Sequence, residues 1–338
     1  MSTSHIWVTR FLHSGKLARL PALISSLVVF GLPQVLCLLL IEATNHSFSR
    51  LSPRSAYSVS LGLLWIGIGP YLIYLYDSKA LPSFFKGLDG VLGNSDIAEK
   101  LKIKYLRIFS KKFFWLTIIW CLLLQIGYFS SREFLSVLNI RYFSFMFFLV
   151  AAYIVWVGLL TSIGFWGVLV TIGLIREASG RIAVINPFHE DGFGGLGRFG
   201  RLAITTTLLF SSGSLYIPLL IDVVTRGVKY NRVHYGLLAI FVGSIAASFL
   251  VPIVLVTHRA RKLQRGVLKG LSDECSYWAT RSSDDIKSQI KAIHDLELHS
   301  AYTSLRLCPI KYDTFIKFFT SVLFPVVLLL ADKYLLRK

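Results

Sequence analysis

Between Asn186 and Gly197 the chain places His189, Glu190 and Asp191 in succession, then Gly192, Gly194, Gly195 and Gly197, and directly behind them Arg198 and Arg201. Each residue type brings its own chemistry. An imidazole titrates near neutral pH and can act as acid or base, and adjacent carboxylates can orient it or bind a divalent cation. An enzyme built here would use His189, Glu190 and Asp191. Consecutive glycines expose backbone N–H groups, and a helix starting behind them presents its positive end. With Arg198 and Arg201 that arrangement makes an anion cradle. The same glycines read equally as a tight turn that needs left-handed torsions. Residues 192–197 formally match GxGxxG, but dinucleotide binding requires a preceding strand and a βαβ unit, and this stretch lies between long apolar runs at 142–175 and 202–221.

A second polar group, His294, Asp295, Glu297 and His299, falls in the basic segment 258–312. His294 and His299 are five residues apart and do not share a helix face well, so the spacing specifies no metal. Cys37, Cys121, Cys275 and Cys308 are scattered without CxxC spacing. They give neither a disulfide framework nor a zinc signature, and no cofactor is expected.

Whatever this loop does, apolar elements must hold it. Of 338 residues, 54% are apolar and 16% charged, whereas soluble domains carry about 25% charged residues. Windows long enough to cross a hydrocarbon slab of about 30 Å occur near 20–41, 57–76, 113–130, 142–175, 202–222, 235–257 and 313–331. The expected fold is an all-α polytopic bundle of seven spans, a single membrane domain over residues 1–338 with helical loops at 77–112 and 258–312 facing the cytoplasm. The first window follows Arg10, Lys16 and Arg19 and is too long for a signal-peptide core, so it reads as a retained span. The fourth, at 34 residues, exceeds one bilayer and reads as one tilted helix projecting into the cytoplasm.

Lys and Arg set the orientation. With the N-terminus inside, segments 1–19, 77–112, 176–201 and 258–312 hold 25 of the 36 basic residues, while 43–56, 131–141, 225–233 and 332–338 hold 10. Cytoplasmic loops carry the basic excess, which favours N-in. The net charge of +18 suits an anionic lipid surface. No nucleic-acid motif accompanies it, so nucleic acid is not an expected partner.

None of the first six windows holds Asp, Glu, Lys, Arg or His in its interior; Lys317 and the edge residues Glu42, Asp222 and Asp313 come nearest. This counts against an ion-coupled carrier, which needs a group to bind and release the coupling charge. Pro33, Pro70, Pro218, Pro252 and Pro325 sit near the middle of five windows and free backbone carbonyls there. Thr207, Ser211 and Ser214, with Pro218, recur on one face of the fifth window. That hydroxyl stripe either lines a wet path or lets helices approach closely, as Gly243 and Ala247 do on the sixth.

Two basic segments carry apolar stripes at helical spacing. One has Ile97, Leu101, Tyr105 and Ile108 among Lys100, Lys102, Lys104, Arg107, Lys111 and Lys112; the other has Ile286, Ile290, Ile293 and Leu296, beyond Arg259, Arg261 and Lys262. Each can lie at the inner headgroups, pack on a neighbour or bind a partner. The partners that fit are anionic lipid, a second copy of the chain and a cytoplasmic protein.

His189, Asp191, Gly194, Gly195, Leu196, Gly197 and Gly200, preceded by Asn186-Pro187, resemble the HPDxxGGLGxLG signature of a group of bacterial multi-span inner-membrane proteins. Glu190 replaces the signature's proline and Phe199 its leucine. The resemblance implies a bacterial inner-membrane location and a loop leading into a membrane helix; it carries no activity with it. The expected function is a channel-like conduit or membrane effector gated at the cytoplasmic face, with Thr207, Ser211 and Ser214 lining its path. The alternatives are a membrane-embedded enzyme acting on a lipid or lipid-linked substrate, and a scaffold or signalling component recruiting a partner through 258–312.

Overall fold

The computed structural model describes residues 6–12, 20–45, 53–111, 113–129, 141–216, 231–280, 286–309, 315–316 and 319; among them there is no strand. After a short α1 (Trp7–Leu12), α2 runs as one rod through Ala22–Ser26, a π turn at Leu27–Gly31 and Leu32–Asn45. The rod α3 joins Pro53–Leu75, a second π turn at Tyr76–Ala80 and Leu81–Phe85. Both π turns lie just before a proline, Pro33 and Pro82. A proline ring clashes with the carbonyl four residues back and offers no N–H, and a widened turn accommodates both defects. Pro70 and Pro252 are carried inside helices.

The remaining helices are α4 (Leu88–Leu92), α5 (Ser95–Lys111), α6 (Phe113–Phe129), α7 (Phe145–Gly180), α8 (Gly197–Ser212, ending in a 3-10 turn at Gly213–Tyr216), α9 (Asn231–Thr280) and α10 (Ile286–Ser304). Among the described residues, three helical stretches are long and apolar enough to cross a membrane: Ala22–Leu40, Phe145–Gly180 and Phe241–Ser276. The expectation of seven is met only this far. The 57–76 window lies in α3; the 113–130 window becomes α6, 17 residues long. The 202–222 window begins earlier than expected, at Gly197, and its α-helix closes at Ser212. Apart from residues 315, 316 and 319, the seventh window lies outside the described residues, as do Pro218 and Pro325.

The fourth window is a single helix of 36 residues, about 54 Å long. The sixth continues far past its apolar part to 50 residues, about 75 Å. Both rods are longer than a hydrocarbon slab of about 30 Å is thick, and α9 carries Arg259, Arg261 and Lys262 past its apolar part within the same helix.

Hydroxyls and small residues set the helix contacts. Thr117 and Ser162 share a hydrogen bond of 3.1 Å across α6 and α7, and the Trp120 indole donates to Thr161 at 2.8 Å. A Cβ at Gly158 would lie 2.7 Å from Cys121 Sγ, so the two helices touch closely there. At the centre of α3, α7 and α8, the Tyr76 and Thr171 hydroxyls pair at 2.6 Å, and Thr206 donates toward Tyr76 at 3.4 Å. Ile66, Leu174, Ile175 and Leu202 fill the apolar core around them.

The two amphipathic segments part company. On α5, Leu101 and Tyr105 are 2% and 7% exposed, and Ile97 and Ile108 pack against the same core. The Tyr105 hydroxyl donates to Glu177 on α7 at 3.0 Å. On α10, Ile290, Ile293 and Leu296 are 62%, 65% and 59% exposed. The face of α10 that meets α9 is a different one, fixed by Gln264 donating to the Tyr302 carbonyl at 2.6 Å.

Candidate functional site

The 186–197 loop is a wound turn whose torsions only glycine adopts without strain. Gly192, Gly194 and Gly195 have φ of +68°, +68° and +89°. Asn186 opens it with an Asx turn, its side-chain oxygen accepting from Phe188 N at 3.0 Å, and its amide donates to the Gly194 carbonyl at 3.3 Å.

Asp191 is the hub. Its Oδ1 accepts from the amides of Phe193 at 2.8 Å and Gly195 at 3.0 Å, and its Oδ2 accepts from the amide of Gly197 at 2.9 Å. Gly197 is the first residue of α8, so the carboxylate satisfies an orphan donor of the helix start and meets the positive end of its dipole. Burial pushes the Asp191 pKa up, but the amides of Gly195, Phe193 and Gly197 and the His189 ring outweigh it and hold the carboxyl below its usual value.

The glycine amides do converge on an anion, and that anion is the chain's own Asp191. The Gly195 and Gly197 amides serve Asp191, and the Gly192 amide donates to the His189 carbonyl at 3.0 Å. His189 Nδ1 stands 3.0 Å from Asp191 Oδ1 and 3.2 Å from the Asp191 amide. Neutral, it accepts from the amide; protonated, it donates to the carboxylate. Glu190 is exposed. His189, Glu190 and Asp191 do come together as sequence neighbours, but the carboxylate that would orient a base or hold a metal is already engaged by three amides. Among the described residues no group of three His, Cys, Asp or Glu side chains could hold a metal ion, and His294, Asp295, Glu297 and His299 form no such group with the loop.

The loop is held on two sides. A Cβ at Gly195 would lie 3.1 Å from Val91 on α4, and the amides of Ala183 and Val184 both donate to the Val91 carbonyl at 3.2 Å. On the opposite side a Cβ at Gly194 would collide with Ile185 and lie 3.2 Å from Leu305, just past α10. The Tyr302 hydroxyl of α10 donates to the Ile185 carbonyl at 2.7 Å.

Arg198 and Arg201 point away from the nest. Arg198 donates to the Lys86 carbonyl and lies over Gly87, while Arg201 is exposed; both line a cleft between α3 and α8 with Lys79. Nothing in the sequence links Lys79 to the arginines beyond its place a turn past the second apolar window, as Arg201 lies just before the fifth. Of the hydroxyl stripe, Thr207 is wholly buried against α9, accepting from Ser248 at 3.0 Å and donating to the Ala203 carbonyl at 2.8 Å. Ser211 donates to the Leu208 carbonyl at 3.1 Å, and Ser214 is half-buried. At Thr207 the hydroxyl joins two helices and faces no aqueous path in this conformation. Comparison with protein-family models, with curated proteins and with solved structures finds no match to this chain, which leaves the geometry of loop and cleft to carry the functional reading.

Proposed function

We propose that this chain is a seven-span effector of the bacterial inner membrane, N-terminus in the cytoplasm, in which the hairpin of α9 and α10 acts on the membrane helices through the glycine loop. One observation carries the reading. The loop that caps α8, with Ile185 just before it, is also where the end of α10 rests, through the Tyr302–Ile185 hydrogen bond and the approach of Leu305 to Gly194. Displacing the hairpin therefore strains the cap of α8, and α8 in turn is joined to α9 at Thr207 and Ser248. In the conduit form of this reading, α8 is the gate, and opening parts the Thr207–Ser248 pair.

Amide exchange in the purified protein tests the coupling. Tyr302→Phe combined with Leu305→Ala should raise exchange at residues 193–199 by roughly tenfold, the factor given by losing about 1.4 kcal/mol of local stability. Exchange confined to α10, with the 193–199 amides as protected as in the wild type, would remove the coupling. Flux from proteoliposomes separates conduit from non-conducting effector: only a conduit gives the double variant an altered leak.

A scaffold reading has its own support in the exposed Ile290, Ile293 and Leu296 stripe on α10, an apolar face left uncovered among the described residues. It differs in outcome, since Ile290→Ser with Ile293→Ser would then abolish function while Tyr302→Phe would leave it intact. An enzymatic reading would use an Asp191 whose oxygens also serve the cap.

A further inference from the structure

The cleft between α3 and α8 has a volume of about 520 Å³ and is built from one face of each helix. From α8 come Arg198, Arg201, Thr205, Leu208 and Leu209, spaced at three and four residues. Leu72, Leu75, Lys79 and Ser83 repeat that spacing from α3, with the π turn Tyr76–Ala80 in the middle of the wall. The helices run antiparallel across the cleft: α3 ends at Phe85 near the point where α8 begins, as the Arg198–Lys86 hydrogen bond shows.

Polarity is sorted along the cleft. Ser83, Arg198 and Arg201 lie toward the end nearest the loop beside Phe84 and Leu202, Lys79 lies at the π turn in the middle, and Leu72, Leu75, Leu208 and Leu209 make the other end wholly apolar. From Arg201 to Leu208 is seven residues, about 10 Å of helix rise, roughly the distance from a lipid phosphate into its acyl chains. Among the described residues no Asp or Glu lines the cleft, so its three cations have no carboxylate among those lining residues. Leu208 is 46% exposed, which leaves the apolar end open along the side of the bundle.

We infer that this cleft is a binding site for one anionic phospholipid, its phosphate held by Lys79, Arg198 and Arg201 and an acyl chain laid along Leu72, Leu75, Leu208 and Leu209. Charge complementarity selects the headgroup, because two guanidinium groups and an ammonium offer donors that a phosphate accepts and a zwitterionic choline headgroup opposes. The leucine end selects a lipid over a soluble phosphate ester, since only a lipid covers that wall. The site differs from the diffuse attraction of a basic chain to an anionic leaflet in having a fixed place and a stoichiometry of one.

The test is native mass spectrometry of the full chain in a neutral maltoside detergent, titrated with dioleoylphosphatidylglycerol, with dioleoylphosphatidylcholine, and with glycerol 3-phosphate as competitor. One phosphatidylglycerol should bind roughly tenfold more tightly than phosphatidylcholine. Lys79→Gln with Arg201→Gln should lose that preference, each exposed cation at a lipid surface being worth severalfold in affinity. Lys262→Gln with Lys269→Gln, which removes two exposed cations from α9, should retain it. Thr205→Trp fills the cleft without changing charge and should weaken both lipids; circular dichroism checks its helicity, and if it misfolds the charge variants decide alone. Equal affinity for the two lipids, or equal loss in the α9 control, overturns the site. Displacement of the lipid by equimolar glycerol 3-phosphate overturns the lipid as occupant and leaves a soluble phosphate ester in its place.

Discussion

Gly194→Val should leave little folded protein in the membrane fraction, and what is recovered should unfold well below the wild type. Two separate penalties meet at this residue. Its φ of +68° lies in the left-handed region, which costs a side-chain-bearing residue about 1–2 kcal/mol and a β-branched one more. Its Cβ would also collide with Ile185 and press on Leu305 at 3.2 Å, and overpacking of this kind costs about 1–3 kcal/mol. The sum of roughly 3–5 kcal/mol is a large part of a typical total stability of about 5–15 kcal/mol. Gly192 supplies the control. It has the same φ of +68°, yet a Cβ there meets nothing within 4 Å. Gly192→Ala should therefore lose only the torsional part, about 1 kcal/mol. Thermal unfolding of the three proteins in one detergent ranks them, and equal midpoints for Gly194→Val and Gly192→Ala would show that the loop does not pack as described.

That contrast shows where sequence reading stops. The crowding of His189, Glu190, Asp191 and glycines was visible as a pattern, and so was the need for left-handed torsions. That Gly194 packs against α10 while Gly192 packs against nothing depends on a contact more than a hundred residues away in sequence. The anion was also hidden. A nest of glycine amides before a helix reads as a site for something external, because the capping carboxylate stands six residues before Gly197, outside the three-residue spacing of a capping box. Helix limits follow the same logic. The fourth window gave the helix 145–180 closely because its apolar run and its helix nearly coincide. The sixth ended at Thr257 in sequence and at Thr280 in structure, since Arg, Lys and Leu beyond it propagate a helix as well as they leave a membrane.

The stripes on α5 and α10 have nearly the same periodicity, yet Leu101 is buried and Ile293 exposed. Periodicity identifies a face and not what covers it. The pairing of Lys79 with Arg198 and Arg201 was unreadable for the same reason. It depends on which helices lie side by side, and here α3 and α8 do so around the Tyr76, Thr171 and Thr206 hydroxyls.

Asp191→Ala should be the most damaging change within the loop that adds no bulk. It removes the acceptor for three amides at once, and Phe193 and Gly195 are buried, so water replaces the carboxylate poorly. Losing a helix cap costs about 0.5–2 kcal/mol, and each buried donor left without a partner about 1–3 kcal/mol; together a loss of roughly 3–5 kcal/mol is expected. Asp191→Asn keeps an oxygen for Phe193 and Gly195 but turns an NH2 group toward the Gly197 amide, so it should lose less, about 1–2 kcal/mol. The two variants also separate in pH. Because the folded carboxyl titrates below its unfolded value, its contribution is fully present above the unfolded pKa, near 4, and fades as pH falls through the lower folded one. The stability advantage of wild type over Asp191→Asn should thus shrink as pH falls below about 4. Denaturation midpoints in detergent across that range measure it. An advantage that kept growing as pH fell below about 4 would mean that the carboxylate is not what holds the start of α8.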